Sequence, residues 1–229
     1  MDKKTISEKL FENFCDNNKI FFKRIPKSLV KGKKTPDYEV YDNSNLIIVE
    51  IKQYDPNPEE KKLQKQLEER GYTDVFDKEP GAKARLKIQS GAKQLKARCN
   101  GIKIPTLLVL YNNVPISNRG VDPYEIKTAM YGVEKIDIHL NHSDDSSVIV
   151  DQGFGPKRKM TPTSNTTISA IATLHRVDDI LAMLIFHNIH ASTPLLIDTF
   201  QGARHFTLST KSECQFQDWQ ELKPKGQSN

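Results

Sequence analysis

Apolar residues recur at helical spacing from residue 5 to residue 17, where Ile6, Leu10, Phe11 and Phe14 share one side. This period predicts an amphipathic helix, with Ser7 or Asp2 as its cap. Ile20–Ile25 reads as a short strand stopped by Pro26. Two further strands, Asp37–Tyr41 and Leu46–Gln53, are joined by Asp42-Asn43-Ser44-Asn45, a turn short enough for an antiparallel hairpin. Tyr54–Pro58 breaks the pattern, and Glu59–Arg70 is a strongly charged helix closed by Gly71. A third helix is expected from Lys83 to Cys99, with Ile88, Ala92 and Leu95 on one side and Asn100-Gly101 at its end. Thr106–Tyr111 is continuously apolar, as a strand covered on both faces should be. Asp122-Pro123 then opens a helix that stops at Gly132.

Beyond that point the pattern is weaker. Asn141–Ser147 reads as a polar turn and Gly153–Asn165 as a basic connection rich in Gly, Pro, Ser and Thr. Thr166–Leu174, Ile180–Phe186 and Arg204–Ser209 are strand candidates, and the middle one also fits a helix. The pattern divides into an α/β core over residues 1–140 and a β-rich C-terminal extension over 141–222, in the same domain or appended to it. Residues 223–229 read as a disordered tail.

With 229 residues, 37% of them hydrophobic, the chain can bury one sizeable core. Lys and Arg outnumber Asp and Glu by 34 to 29, a formal +5 that only weakly favours polyanionic partners. No apolar run approaches the roughly 18 residues of a membrane span, and the N-terminus is not an apolar signal core. Cys15, Cys99 and Cys214 lie far apart and form neither a disulfide framework nor a zinc motif. These features predict a soluble cytoplasmic protein. A Walker A loop and a nucleophile elbow are both missing, which argues against self-contained ATP-driven work and acyl transfer. His139-x-x-His142 and His187-x-x-His190 have metal-compatible spacing but lack a convincing third ligand.

The chemically informative segment is Pro36-Asp37 followed, after twelve residues, by Glu50-Ile51-Lys52. Side chains alternate along a strand, so Glu50 and Lys52 share one face, opposite Ile47, Val49 and Ile51. An acid and a base at the end of an apolar strand carry a cost unless they are solvated, paired or metal-bound. Asp37 starts the neighbouring strand and can reach Glu50 across the hairpin. Two carboxylates converging there form a hard oxygen site suited to Mg²⁺. The plainer reading is a surface hairpin with Glu50 and Lys52 in solvent.

In order, spacing and strand context, these residues resemble the PD-(D/E)XK motif of restriction endonucleases, Holliday-junction resolvases and related nucleases. The resemblance spans residues 5–111. It implies a restriction-endonuclease-like central mixed sheet flanked by helices, and a phosphodiester hydrolase acting on DNA. It further implies that Asp37, Glu50 and the Ile51 carbonyl bind Mg²⁺, with Mn²⁺ as a substitute, and that Lys52 is the catalytic lysine. Family members often add an acid from the first helix. Glu8 and Glu12 are the candidates, with Glu8 favoured by its spacing to the next strand. Gln94, or a neighbour such as Lys87, corresponds to a functional residue on the helix after the motif, and Gln53 is a candidate for orienting substrate or water. DNA over RNA is a family-level expectation, and an inactive nucleic-acid-binding module on the same fold is the alternative.

Basic residues near the motif support a nucleic-acid partner. From Lys23 to Lys34, six of twelve residues are Lys or Arg and none is acidic; Lys23, Arg24, Lys27, Lys31, Lys33 and Lys34 are candidates for phosphate contact, together with Lys87. A homodimer would suit cleavage of both strands of a duplex, although no motif specifies one.

Overall fold

The computed structural model of the chain describes residues 4–30, 34–73, 79–99, 101–114, 121–141, 146–177, 180–209 and 217–223. The chain opens with helix α1 (Ile6–Asn17), strand β1 (Phe21–Arg24) and the hairpin β2 (Tyr38–Asp42) and β3 (Asn45–Tyr54). Helices α2 (Pro58–Arg70) and α3 (Ala82–Cys99) lead to β4 (Thr106–Asn112) and α4 (Pro123–Tyr131). Then come β5 (Glu134–Asn141), β6 (Ser146–Phe154), β7 (Ala170–Val177), β8 (Ile180–His187), β9 (Arg204–Leu208) and β10 (Trp219–Leu222). The class is mixed α/β. Eight strands form one sheet in the order β1-β2-β3-β4-β7-β8-β9-β10, and β5 and β6 form a separate two-stranded ribbon.

The sheet is mixed at the position that matters most. β3 pairs antiparallel with β2 and parallel with β4, and β4 pairs parallel with β7. The β2–β3 turn is tight because Asn43 and Ser44 both adopt positive φ, the geometry that suits the twist of a two-residue hairpin. Strands β7 to β10 therefore continue the sheet that carries the motif. Ile180–His187, which also fitted a helix on pattern alone, is a strand paired antiparallel to β7.

Both faces of the sheet are covered. On one, α1 places Leu10, Phe11 and Phe14 against Tyr38, Val40, Ile47, Val49, Ile51, Leu107, Val109 and Ile185. On the other, α3 and α4 place Ile88, Leu95, Ile126 and Met130 against Ile48, Leu108, Leu110, Ile171 and Phe186. The packing of α3 is close enough to require Gly91, where an added Cβ would lie 2.6 Å from Leu108 Cδ1. The row Ile47, Val49 and Ile51 faces the first of these cores, and β3 is buried on its other face as well, through Ile48 and Tyr54. Trp219 anchors β10, with its ring 4.8 Å from that of Phe186 and its indole N–H donating to the Pro123 carbonyl at 2.8 Å.

Local signals explain most of the element ends. Thr5, rather than Ser7, caps α1, and the reciprocal bonds of Thr5 and Glu8 form a capping box. The other expected cap, Asp2, lies outside the described residues. Asn57 and Glu60 cap α2 in the same way, and Gly71 ends it in the left-handed conformation. No residue of α2 is buried, so it is a solvated helix, tied to α3 by the Lys83–Glu60 ion pair. Cys15 and Cys99 are buried free thiols, and Cys214 lies outside the described residues.

A buried histidine pair in the C-terminal strands makes stability depend on pH. His187 Nε2 lies 2.9 Å from His205 Nδ1, and His205 Nε2 lies 3.0 Å from the Thr199 carbonyl. The carbonyl only accepts, so His205 Nε2 carries its proton and His187 Nε2 donates to His205 Nδ1. Burial, then the neighbouring His205, lowers the pKa of His187 to about 4, and burial also lowers that of His205. Between pH 6.5 and 4 the unfolded chain takes up a proton that folded His187 refuses, so the contribution of His187 to stability falls as pH falls. Urea midpoints of the native protein should therefore drop across this window relative to those of His187→Gln, a loss of about 3 kcal/mol at most. A difference between the two proteins that does not change with pH would show that the pair is not the source.

Candidate functional site

The parallel junction of β3 with β4 and the antiparallel junction of β3 with β2 bring the motif residues to one end of the sheet. Arg24, Ile25, Lys27, Ser28, Lys34, Thr35, Pro36, Asp37, Glu50, Ile51, Lys52 and Gln94 line a cleft of about 360 Å³ there. Asp37 is held by its own backbone pairing and by its side chain. Its N–H donates to the Val49 carbonyl at 3.1 Å, and its Oδ2 accepts the Ile51 N–H at 2.8 Å. This second bond fixes the carboxylate against the backbone between Glu50 and Lys52.

Glu50 is 1% exposed, so it is not a solvent-facing residue of a surface hairpin. Its Oε1 pairs with the Lys52 ammonium, while its buried Oε2 has no hydrogen-bond partner. Among the described residues, only one other buried side-chain oxygen, Thr128 Oγ1, is left in this way. The neighbour of Glu50 is the Asp37 carboxyl, which has no proton to offer when both are ionised. Burial, reinforced by the charge of Asp37 and only partly offset by Lys52, pushes the Glu50 carboxyl up to about 8. Burial also raises that of Asp37, with its bond to the Ile51 N–H opposing and the charge of Glu8 adding to the shift. Two such carboxyls call for a shared proton or a cation.

Lys52 is held on a second side. Its Nζ donates to Gln94 Oε1 at 2.6 Å, and Gln94 Nε2 donates to the Thr35 carbonyl at 3.1 Å. Gln94 is buried on α3, so the helix that covers this face of the sheet also aims the lysine. Four of the residues expected from the sequence, Asp37, Glu50, Lys52 and Gln94, therefore meet in one cleft, with the Ile51 backbone in its lining.

The remaining candidates are placed elsewhere or engaged. Glu8 lies close enough to Asp37 to raise it, but its Oε2 accepts from the Thr5 N–H at 2.6 Å and Thr5 Oγ1 at 2.9 Å, and its Oε1 pairs with Arg24 at 2.7 Å. Glu12 accepts from the Tyr38 hydroxyl at 2.9 Å and pairs with Lys4 at 2.6 Å. Gln53 points to the α1 face, where its Oε1 accepts the Ser7 N–H at 2.9 Å, and the structure does not bring it into the cleft. Lys87 donates to the Gln53 carbonyl at 2.7 Å and lies over the Tyr54 ring, outside the cleft lining. Of the basic loop, Arg24, Lys27 and Lys34 line the cleft and Lys23 is exposed on β1; Lys31 and Lys33 lie outside the described residues. Arg24 is the residue whose role sequence reasoning underspecified: it bridges the cleft to Glu8.

The donor set fits a small hard cation. Asp37, the orphaned Glu50 Oε2 and a backbone carbonyl are oxygen ligands of the kind Mg²⁺ prefers, with its remaining positions filled by water. Among the described residues, no group of three or more His, Cys, Asp or Glu side chains is placed to hold a metal ion. His187 of the second His-x-x-His pair is engaged with His205, and His142 of the first lies outside the described residues.

No protein-family model and no curated protein matches the chain. Among solved structures it is similar to SfsA of Pyrococcus furiosus, determined in complex with Ca²⁺, at 13% identity over 65% of this chain and 61% of that one, with a TM-score of 0.24. The chain thus spans about three-fifths of that protein's length, and a likeness of this size carries no argument about chemistry. No helix among the described residues is long and apolar enough to cross a membrane.

Proposed function

We propose that this chain is a metal-dependent nuclease of the PD-(D/E)XK nuclease-like superfamily, with a restriction-endonuclease-like core, that hydrolyses phosphodiester bonds in DNA. The observation that carries the reading is the buried, unpartnered Glu50 Oε2 beside Asp37, with Lys52 aimed into the same cleft. The order α1, β1, the β2–β3 hairpin, α3 and β4, with β3 parallel to β4, supports it at the level of fold.

Asp37, Glu50 and the Ile51 carbonyl would hold Mg²⁺. When bound, the ion would supply a Lewis acid that polarises the phosphoryl oxygen and lowers the pKa of water. Lys52, fixed by Glu50 and Gln94, would position the attacking water and offset charge developing on the phosphoryl oxygens. Arg24, Lys27 and Lys34 at the cleft rim would bind the flanking phosphates and set the strand's register without reading its bases.

The test is incubation of the protein with supercoiled plasmid, linear duplex and single-stranded DNA, each with Mg²⁺, Mn²⁺ or EDTA, beside Lys52→Ala. Cutting should require the metal and fall by about 10²–10³-fold in the variant. An RNA substrate in parallel assigns the sugar preference. Tight, metal-independent DNA binding without any cutting would instead favour a binding module on the same fold.

A further inference from the structure

The β5–β6 ribbon stands apart from the sheet and is amphipathic. Cross-strand partners share a face, so the pairs Ile136–Gln152, Ile138–Ile149 and Leu140–Ser147 line one side of the ribbon. The pairs Lys135–Gly153, Asp137–Asp151 and His139–Val148 line the other, where Lys135 bridges the two aspartates at 2.8 and 3.6 Å. Val150 is the extra residue of a bulge opposite the Asp137–Ile138 step. On the apolar side Ile138 is 55%, Leu140 62% and Ile149 52% exposed. Every residue from Lys135 to Asn141 and from Ser146 to Asp151 is exposed. An isolated two-stranded ribbon is marginal in water, and one that presents a row of branched aliphatic side chains to solvent needs a cover.

Charge narrows the choice of cover. Residues 134–154 contain five acidic residues and one lysine, in a chain whose formal charge is +5. An arm of that sign repels a polyanion, so it is not a β-ribbon built to enter a nucleic-acid groove. The described acids Asp137 and Asp151 lie on the face opposite the aliphatic row, so two copies can appose their apolar faces without bringing those acids together. With eight and nine residues in its strands, the ribbon is about 27 Å long and about 10 Å wide. Each face is about 270 Å² in projection, so two together cover roughly 500 Å² and somewhat more with the relief of their side chains, a size that fits a weak, concentration-dependent contact.

We infer that the apolar face of the β5–β6 ribbon packs against the same face of a second copy, forming an isologous two-fold dimer. The interface is a small two-layer sandwich of ribbons with Ile138 and Ile149 at its centre. The dimer is independent of the cleft chemistry and carries two clefts in one assembly.

Sedimentation velocity from about 1 to about 100 µM should show a monomer–dimer equilibrium. Ile138→Lys combined with Ile149→Lys should weaken it at least about 100-fold, while His139→Lys on the opposite face should leave it intact. Hydrogen exchange of the native protein needs no substitution and covers the case of a variant that misfolds: amide protection over residues 134–141 and 146–154 should rise with concentration. A monomer throughout the range, a dimer indifferent to the double substitution, or ribbon protection that responds only to added DNA would each overturn the inference.

Discussion

Glu50→Gln should abolish metal-dependent cleavage while making the metal-free protein more stable. The substitution keeps the shape of the side chain and removes only its charge. In the native protein that charge is buried, faces the Asp37 carboxyl and leaves Oε2 without a donor. The folded carboxyl ionises near 8, against an ordinary value of 4.5, so the sign is determined: as pH rises from 4.5 towards 8, the unfolded chain releases a proton that the folded one retains, and stability falls. Near pH 8 the neutral amide escapes this penalty. The net gain is on the order of 3 kcal/mol after allowance for the lost pairing with Lys52, a rise of roughly 5–10 °C in Tm for a chain of this size. Cleavage should fall by about 10³-fold, and the Tm increment that Mg²⁺ gives the native protein should vanish. A variant that melts lower and still responds to Mg²⁺ would mean that Glu50 is a structural partner of Lys52, and the cation reading would be withdrawn.

A chain that ends at residue 165 should not fold. Such a truncation keeps every motif residue and removes β7 to β10, and with them one of the two parallel partners of β4. Thr106–Asn112, buried on both faces, would become an edge strand with its backbone groups unpaired. The first core layer would lose Ala172, Met183, Ile185 and Phe200, and the second Ile168, Ile171 and Phe186. Phe200 packs its ring 6.5 Å from that of Phe11 on α1, and Asn43 in the β2–β3 turn donates to the Asp198 carbonyl at 2.6 Å. Losing several large buried side chains, each contributing about 2–5 kcal/mol, exceeds the stability of an ordinary domain. Thermal circular dichroism should show no cooperative transition, and limited proteolysis no resistant core. A truncated chain that melts cooperatively and binds Mg²⁺ would mean that the two halves are separate domains.

The sequence was most legible where period and turn chemistry agreed. Asp42-Asn43-Ser44-Asn45 between two apolar runs left one pairing for the hairpin, and the period-2 rule put Glu50 with Lys52. Applied one residue further, the same rule puts Gln53 on the opposite face, and that is where it bonds to Ser7. The run Thr5-x-x-Glu8 is itself a capping-box signature, and it accounts for the first helix acid being engaged with its own N-terminus. Long-range consequences were not legible. Nothing local in Leu107–Leu110 says that β7, some sixty residues later, will cover its edge. The Ile136, Ile138, Leu140 alternation is a strand signal, but it sits among acidic residues and buries nothing, so it lacks the apolar density that marks the sheet strands.

The base of the β5–β6 ribbon is narrow. Glu134 and Phe154 are directly paired, Gly155 N–H donates to the Val133 carbonyl at 2.7 Å, and Gly132 sits at φ 102° where a Cβ would lie 2.6 Å from the Gly155 carbonyl oxygen. The backbone thus leaves and re-enters the body through a gate about one hairpin wide. A segment attached in this way behaves as a cassette: ribbons of other length or surface chemistry, or a foreign reporter loop, can be grafted between Val133 and Gly155 with little change in loop-closure entropy. The position is a natural point of divergence, at which chains sharing this sheet could acquire different partners while keeping the cleft.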